Sequence, residues 1–380
     1  MTQQDVAQTD YELVAAPHSY YSAKIRSCLQ YKRIPYQELG CNIETLGLRV
    51  TPATGDHLFP VVFCPDGEIL KDGCDIVEGL ERRHPERPVA PEDPQLKLIA
   101  NILENIADNN FAMAMIYYRW IPEETKAWGV KMFNTLNTKG VTNPDLLALA
   151  NNMSGTVSAE IQSRLPKVSL DRPEVQQEAI KVVEKVCDLL DAHFAQTPFV
   201  LGDRPCSADF GIMNAMWGHL FLDPCDASMY IRQNCIHLTY WISNMQSAAG
   251  ISDQGELYLT DTMKELLQYL GSAFGHMTQE VLKAANKHIP ELPLNEAVET
   301  GLGSLASVET FLLDVPASME MDNYTAWRLQ RVVDDYQAMN EQTKSDTEKL
   351  LNDIGFGVIT QYKTNWRLEK KNFKLVAVTP

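Results

Sequence analysis

The stretch Tyr11-Glu12-Leu13-Val14-Ala15-Ala16-Pro17-His18-Ser19-Tyr20-Tyr21-Ser22-Ala23-Lys24-Ile25-Arg26 joins an apolar strand to a helix. Residues 11–16 read as the strand. From 22 to 32, Ile25, Cys28 and Leu29 recur at i, i+3, i+4, the spacing of one helix face. The loop between them carries the chemistry. A helix N-terminus presents unpaired N–H groups and a partial positive charge, which favour an anion such as a thiolate. Ser19 stands just before that terminus, and its hydroxyl can donate a hydrogen bond to a bound thiolate and lower the thiol pKa. Ser19 or Ser22 can equally serve as a plain helix cap, because serine is among the preferred cap residues.

The following residues extend this start. Residues 35–39 form a second strand, 60–63 and 68–70 flank the hairpin turn Pro65-Asp66-Gly67, and 72–83 is a helix with Ile76, Val77 and Leu80 on its apolar side. The order β-α-β then β-β-α predicts a mixed sheet covered by helices. In His57-Leu58-Phe59-Pro60-Val61-Val62 a proline opens a strand, where it is tolerated; in a sharper reading, a cis Phe59–Pro60 bond leaves the Phe59 backbone N–H and C=O free for a ligand. Asp72 and Gly73 sit where the fourth strand passes into the helix. Amides there could hold a carboxylate and Asp72 could pair with an ammonium, although a simple cap is also consistent.

The proline-rich stretch 84–94 (HPERPVAPEDP) reads as a linker, since successive prolines interrupt helices. Beyond it, helices are expected at 95–118, 123–137, 144–164, 173–195, 207–220, 228–248 and 261–288. From 291 onward come a loop, helices at 324–340 and 345–354, and short strands at 356–361 and 373–378. The domain boundaries that follow are a tail at 1–10, an α/β unit at 11–83, the linker, an all-α unit at 95–250 and an extension at 251–380.

The order of these segments resembles the cytosolic glutathione transferases: a thioredoxin-like N-terminal domain of α/β class followed by an all-α domain. The resemblance continues at Phe199-Val200-Leu201-Gly202-Asp203-Arg204-Pro205-Cys206-Ser207-Ala208-Asp209-Phe210, similar to the family's helix-capping segment. The later stretch around Tyr324 to Arg331 is similar to longer bacterial members with a mainly helical C-terminal extension. The resemblance implies Ser19 as the catalytic residue, because Lys24 and Arg26 follow at the family's spacing. It implies Phe59 as the residue pairing with the glutathione backbone, Pro60 as the cis-proline, and Asp72 with Gly73 as the pair holding the γ-glutamyl end. Glutathione is then the cosubstrate, a small apolar electrophile the second substrate, and the protein a cytoplasmic homodimer acting in detoxification.

Two positions depart from the pattern. Gly73 replaces a Ser or Thr and removes a charge-assisted bond of about 1.5 to 3 kcal/mol to the ligand carboxylate. Cys206 replaces the capping Ser or Thr, which should weaken that cap by up to about 1 kcal/mol unless Ser207 serves one position later. Gly73 favours the alternative of a non-catalytic ligand- or partner-binding protein that keeps the fold. Ser19 and Ser22 at both ends of the loop cannot exchange disulfides, which argues against a dithiol reductase.

Composition narrows the remaining classes. The 380 residues are 45% hydrophobic and 22% charged, as expected for globular domains rather than disorder. Lys plus Arg number 33 against 50 Asp plus Glu, a formal charge of −17, opposite in sign to a general nucleic-acid binder. No apolar run approaches the length of a membrane span, and no export signal is evident. Eight thinly spread cysteines without C-x-x-C spacing fit a reducing cytoplasm and give no zinc signature. The G-x-G-x-x-A match at 301–306 lacks a surrounding βαβ unit. The aromatic run Phe111, Tyr117, Tyr118, Trp120 reads first as packing and second as a substrate-pocket wall. Lys363, Arg367, Lys370, Lys371 and Lys374 form a basic tail, read as a solvated surface or partner patch.

Overall fold

The computed structural model describes residues 10–153, 155–297 and 304–380. The tail at 1–10, apart from Asp10, and residues 301–303 of the G-x-G-x-x-A match lie outside the described residues.

Strands β1 (Tyr11–Ala15), β2 (Tyr36–Gly40), β3 (Val61–Phe63) and β4 (Ile69–Lys71) form one sheet in the order β2-β1-β3-β4. β1 pairs parallel with β2 and antiparallel with β3, and β3 pairs antiparallel with β4. Alternation sorts the two faces. Leu13, Ala15 and Val62 join the main core with Ile25, Cys28 and Leu29 of helix α1 (Tyr20–Tyr31) and Ile76 and Leu80 of the Gly73–Arg83 helix. Val14, Ala16, Val61 and Phe63 face the other way, onto Cys41 and Val50. This is the thioredoxin-like arrangement expected from the sequence.

The all-α part begins at Pro94–Asn105, where Asp93 accepts from the N–H groups of Gln95 and Leu96 and Pro94 takes the first helical position. A wide turn at Ile106–Asn110 leads into Phe111–Trp120. Two expected helices are each two. The 144–164 stretch breaks into Pro144–Asn152 and Thr156–Arg164, with Gly155 at φ 82°. The 228–248 stretch breaks at Cys235 into Asp226–Asn234 and Ile236–Gln246. The Pro173–Phe194 helix buries Val175, Ala179, Val182, Val183, Val186 and Leu190 at helical spacing.

The extension carries the longest helix, Asp261–His288, capped by Thr260 and packed against Pro173–Phe194. Its Gly271 is required by a close approach: a Cβ there would lie 1.8 Å from the Ile354 carbonyl oxygen. Residues 306–321, expected as loop, are instead a hairpin of β5 (Ala306–Leu312) and β6 (Val315–Met321). Helices Asn323–Gln337 and Glu341–Asp353 follow. The strand expected at 356–361 is a helical turn, Val358–Gln361, and the chain closes on the hairpin β7 (Arg367–Lys371) and β8 (Lys374–Val378). Asn323–Gln337 packs on Pro94–Asn105, so the extension lies against the start of the all-α part. Among the described residues no helix is long and apolar enough to cross a membrane.

Candidate functional site

Sheet register brings the sequence-selected residues to one edge. Val14 is opposite Val61, and Val61 opposite Lys71. One step further along, Ala15, Pro60 and Asp72 form the next row, with the Pro17–Ser19 loop above it. Phe59–Pro60 is cis.

Ser19 is the N-cap of α1, and its Oγ accepts from the Ser22 backbone N–H at 3.3 Å. The cap reading and the donor reading are therefore compatible, since accepting that bond leaves the hydroxyl proton available to donate. Ser22 is engaged elsewhere: its Oγ accepts from the Ala16 N–H at 3.2 Å. The loop is held from the all-α part. Arg119 donates to the His18 carbonyl at 2.9 Å while its guanidinium pairs with Asp223, and the Trp217 indole N–H donates to the Pro17 carbonyl at 2.8 Å. Gly218 permits this approach, because a Cβ there would lie 2.9 Å from the His18 carbonyl oxygen. The His18 ring is buried against Phe133. Burial, helped by the Arg119 charge, lowers its pKa to about 4, so the residue before Ser19 is neutral at neutral pH.

The other end of the edge is built differently. Asp72 precedes the Gly73–Arg83 helix at φ 72°, a left-handed conformation rare outside glycine. Its carboxylate pairs with Lys370 of β7, whose Nζ also lies 2.6 Å from Asp75. The same ammonium stands 4.3 Å from the centre of the Trp327 ring and 5.9 Å from that of Tyr324. Burial opposes the Lys370 charge, but Asp72 and Asp75 outweigh it and raise its pKa. Gly73 abuts α1: a Cβ would lie 3.3 Å from Lys24 Nζ.

Lys24 itself is fully buried. Its ammonium meets Glu104 at 2.5 Å and Asp108 at 3.1 Å, and Arg328 of the extension reaches the same carboxylates at 3.1 and 3.2 Å. Two cations against two anions balance the charge of the cluster. Burial works against ionisation of both carboxylates; the cations overcome it for Glu104, which is lowered, whereas Asp108 is raised and takes up a proton first.

Beside this cluster is a cavity of about 190 Å³, walled by Tyr20 and Tyr21, by Asp108 and Asn110, and by Met319 and Thr325 of the extension. Phe111, Tyr118 and Trp120 of the aromatic run are core residues, and the stretch contributes Ile116 to the cavity wall. At the capping segment, Cys206 remains the N-cap rather than Ser207. Asp209 supplies the anchoring, accepting from the N–H groups of Cys206 and Val200 at 2.9 Å each.

Sequence reasoning selected Ser19, Phe59, Pro60, Asp72 and Gly73 but missed Arg119, Trp217 and Lys370, which touch this edge, and Arg328, which joins the Lys24 cluster beside it. From sequence, Lys370 reads as part of a basic tail serving as a solvated surface or partner patch; in the structure it pairs with Asp72, 298 positions away in the chain. No local pattern carries such a pairing.

Among the comparisons with known proteins, the family-model match covers one domain of the chain. No curated protein sequence matches the chain. Solved structures similar to it include the beta-etherase LigF from Sphingobium sp. strain SYK-6, at 14% identity over 68% of this chain and 99% of that one, TM-score 0.42. FzlA from C. crescentus is similar at 16% identity over 68% and 99%, TM-score 0.41. A glutathione S-transferase from Methylobacterium radiotolerans in complex with glutathione sulfonate is similar at 18% identity over 67% and 99%, TM-score 0.38. Residues 13–88 match the family model of the glutathione S-transferase N-terminal domain. That domain holds every residue selected at the sheet edge, so the N-terminal part of the chain is a glutathione S-transferase N-terminal domain.

Proposed function

We propose that the protein is a glutathione transferase-type enzyme in which Ser19 stabilises the thiolate of bound glutathione for attack on an electrophilic carbon. The observation that carries this reading is the state of Ser19: it caps α1 by accepting from Ser22, which leaves its proton to donate, and the two carbonyls before it, Pro17 and His18, are held from outside by Trp217 and Arg119. The thiolate gains from that donor and from the helix N-terminus, and each pK unit is worth about 1.4 kcal/mol. Phe59 would pair with the peptide backbone of glutathione and Gly73 would offer its amide to the γ-glutamyl carboxylate.

The electrophile belongs in the 190 Å³ cavity beside Tyr20 and Tyr21. Its walls mix aromatic and methionine side chains with Asp108, Asn109, Asn110 and Glu320, which suits a small electrophile with a polar handle better than a pure hydrocarbon. The enzyme would act in the reducing cytoplasm, where its eight buried thiols remain reduced, and as a homodimer.

A second reading, a non-catalytic binding protein on the same fold, is favoured by the Lys370 contact at Asp72. Isothermal titration separates the two. The enzyme reading expects glutathione to bind the full chain and turnover of an electron-poor aryl halide to follow; absence of binding at millimolar glutathione favours the scaffold.

A further inference from the structure

We infer that Lys370 is a specificity-determining residue that fills the ammonium subsite of the glutathione site from within the chain. The inference rests on the proposed function above and adds to it a rule for what the site accepts.

The corner at Asp72 has the chemistry that recognises an amino-acid ammonium: two carboxylates, Asp72 and Asp75, under an aromatic wall of Trp327 and Tyr324. That corner already holds an alkylammonium. The carboxylates come from the family-matched domain, whereas the cation and both aromatic rings come from the extension. A second ammonium brought there by a γ-glutamyl group would meet Lys370 as a like charge and would have to displace it.

The surroundings hold Lys370 in place. Gln330 bonds the Leu368 backbone in both directions, accepting its N–H at 2.8 Å and donating to its carbonyl at 3.1 Å. Arg367 pairs with Asp334, and Arg331 of the same helix pairs with Glu78 of the N-terminal domain. β7 is thus clamped two residues before Lys370, and clearing the corner requires the lysine side chain to swing away while the hairpin stays. Lys370 also balances two carboxylates that a ligand ammonium would otherwise balance. The wild-type site therefore gains little from the α-ammonium of glutathione and relies on the Phe59 and Ser19 end for affinity.

The test is calorimetric titration of the full-length protein and of Lys370→Met, each with glutathione and with the analogue of glutathione that lacks the α-amino group. Methionine keeps an unbranched stem over Trp327 and removes the charge. Wild type should bind the two ligands within about threefold of each other. K370M should prefer glutathione by about tenfold or more, since the freed carboxylates then pair with the ligand. A wild-type preference for glutathione of tenfold or more overturns the inference without recourse to the variant. So does a K370M preference no larger than that of wild type, and in both cases the proposed function stands. Failure of both proteins to bind either ligand overturns the proposed function and the inference with it.

Discussion

The two ends of the sheet edge, at Ser19 and at Asp72, are separated by one proline strand start yet are completed by different parts of the chain. At Ser19 the all-α part fixes the backbone through Arg119 and Trp217 and leaves the hydroxyl proton available. At Asp72 the extension contributes side chains into the corner itself, with Lys370 on the carboxylates and Trp327 over the ammonium. On the proposed function, the thiol end keeps a hydroxyl donor, whereas the γ-glutamyl end would be altered by side chains of the extension.

The comparison breaks most severely if the extension is not integral. Arg328 ties it to Lys24, Glu104 and Asp108 in a fully buried cluster. Arg328→Met should leave a buried carboxylate uncompensated and cost about 3–5 kcal/mol, read as a large fall in melting temperature. A melt within a degree or two of wild type would mean that the cluster contributes nothing to docking.

The neutral state of the Ser19 end can be tested through His18. Its folded pKa of about 4 lies below the ordinary value of 6.5, so the unfolded chain takes up the proton first. The stability this represents is complete above pH 6.5 and is lost as pH falls toward 4, by about 2–3 kcal/mol. The expected outcome is that His18→Leu loses less stability than wild type between pH 6.5 and 4, measured by denaturant titration at each pH. Parallel curves would show that His18 is not buried as a neutral group.

A smaller effect concerns Gly73, where a serine would restore the missing hydroxyl. Its Cβ would lie 3.3 Å from Lys24 Nζ, and that ammonium is held by Glu104 and Asp108 and cannot easily retreat. Gly73→Ser should therefore lower stability by about 1 kcal/mol, read in the same denaturant titrations. An unchanged or higher stability would show that Lys24 has room to move.

How much of this was legible from sequence follows the range of the interactions. β1, α1 and the Gly73–Arg83 helix lie within a residue or two of where periodicity places them, because each is specified by local alternation or by an i, i+3, i+4 face. The 261–288 helix coincides with its expected span, having Thr260 as a cap and a continuous apolar stripe. The β5–β6 hairpin was missed even though Val308, Thr310 and Leu312 alternate inward. Its turn uses Leu313 at φ 52° in place of an Asn-Gly or Asp-Gly pair, and Pro316 stands inside β6, where proline argues against a strand. Ser19 was legible as the cap of α1 because a strand-to-helix loop is local. The state of Asp72 was not, because its partner comes from the far end of the chain.

The central claim is that Ser19 lowers the pKa of bound glutathione, and ultraviolet titration of the thiolate on saturated wild type and on Ser19→Ala tests it most directly. The account predicts a thiolate that persists below the pH at which free glutathione ionises, and a titration about one to two units higher in the variant, for the loss of one charge-assisted hydrogen bond. Coincident titration curves for the two saturated proteins would contradict it.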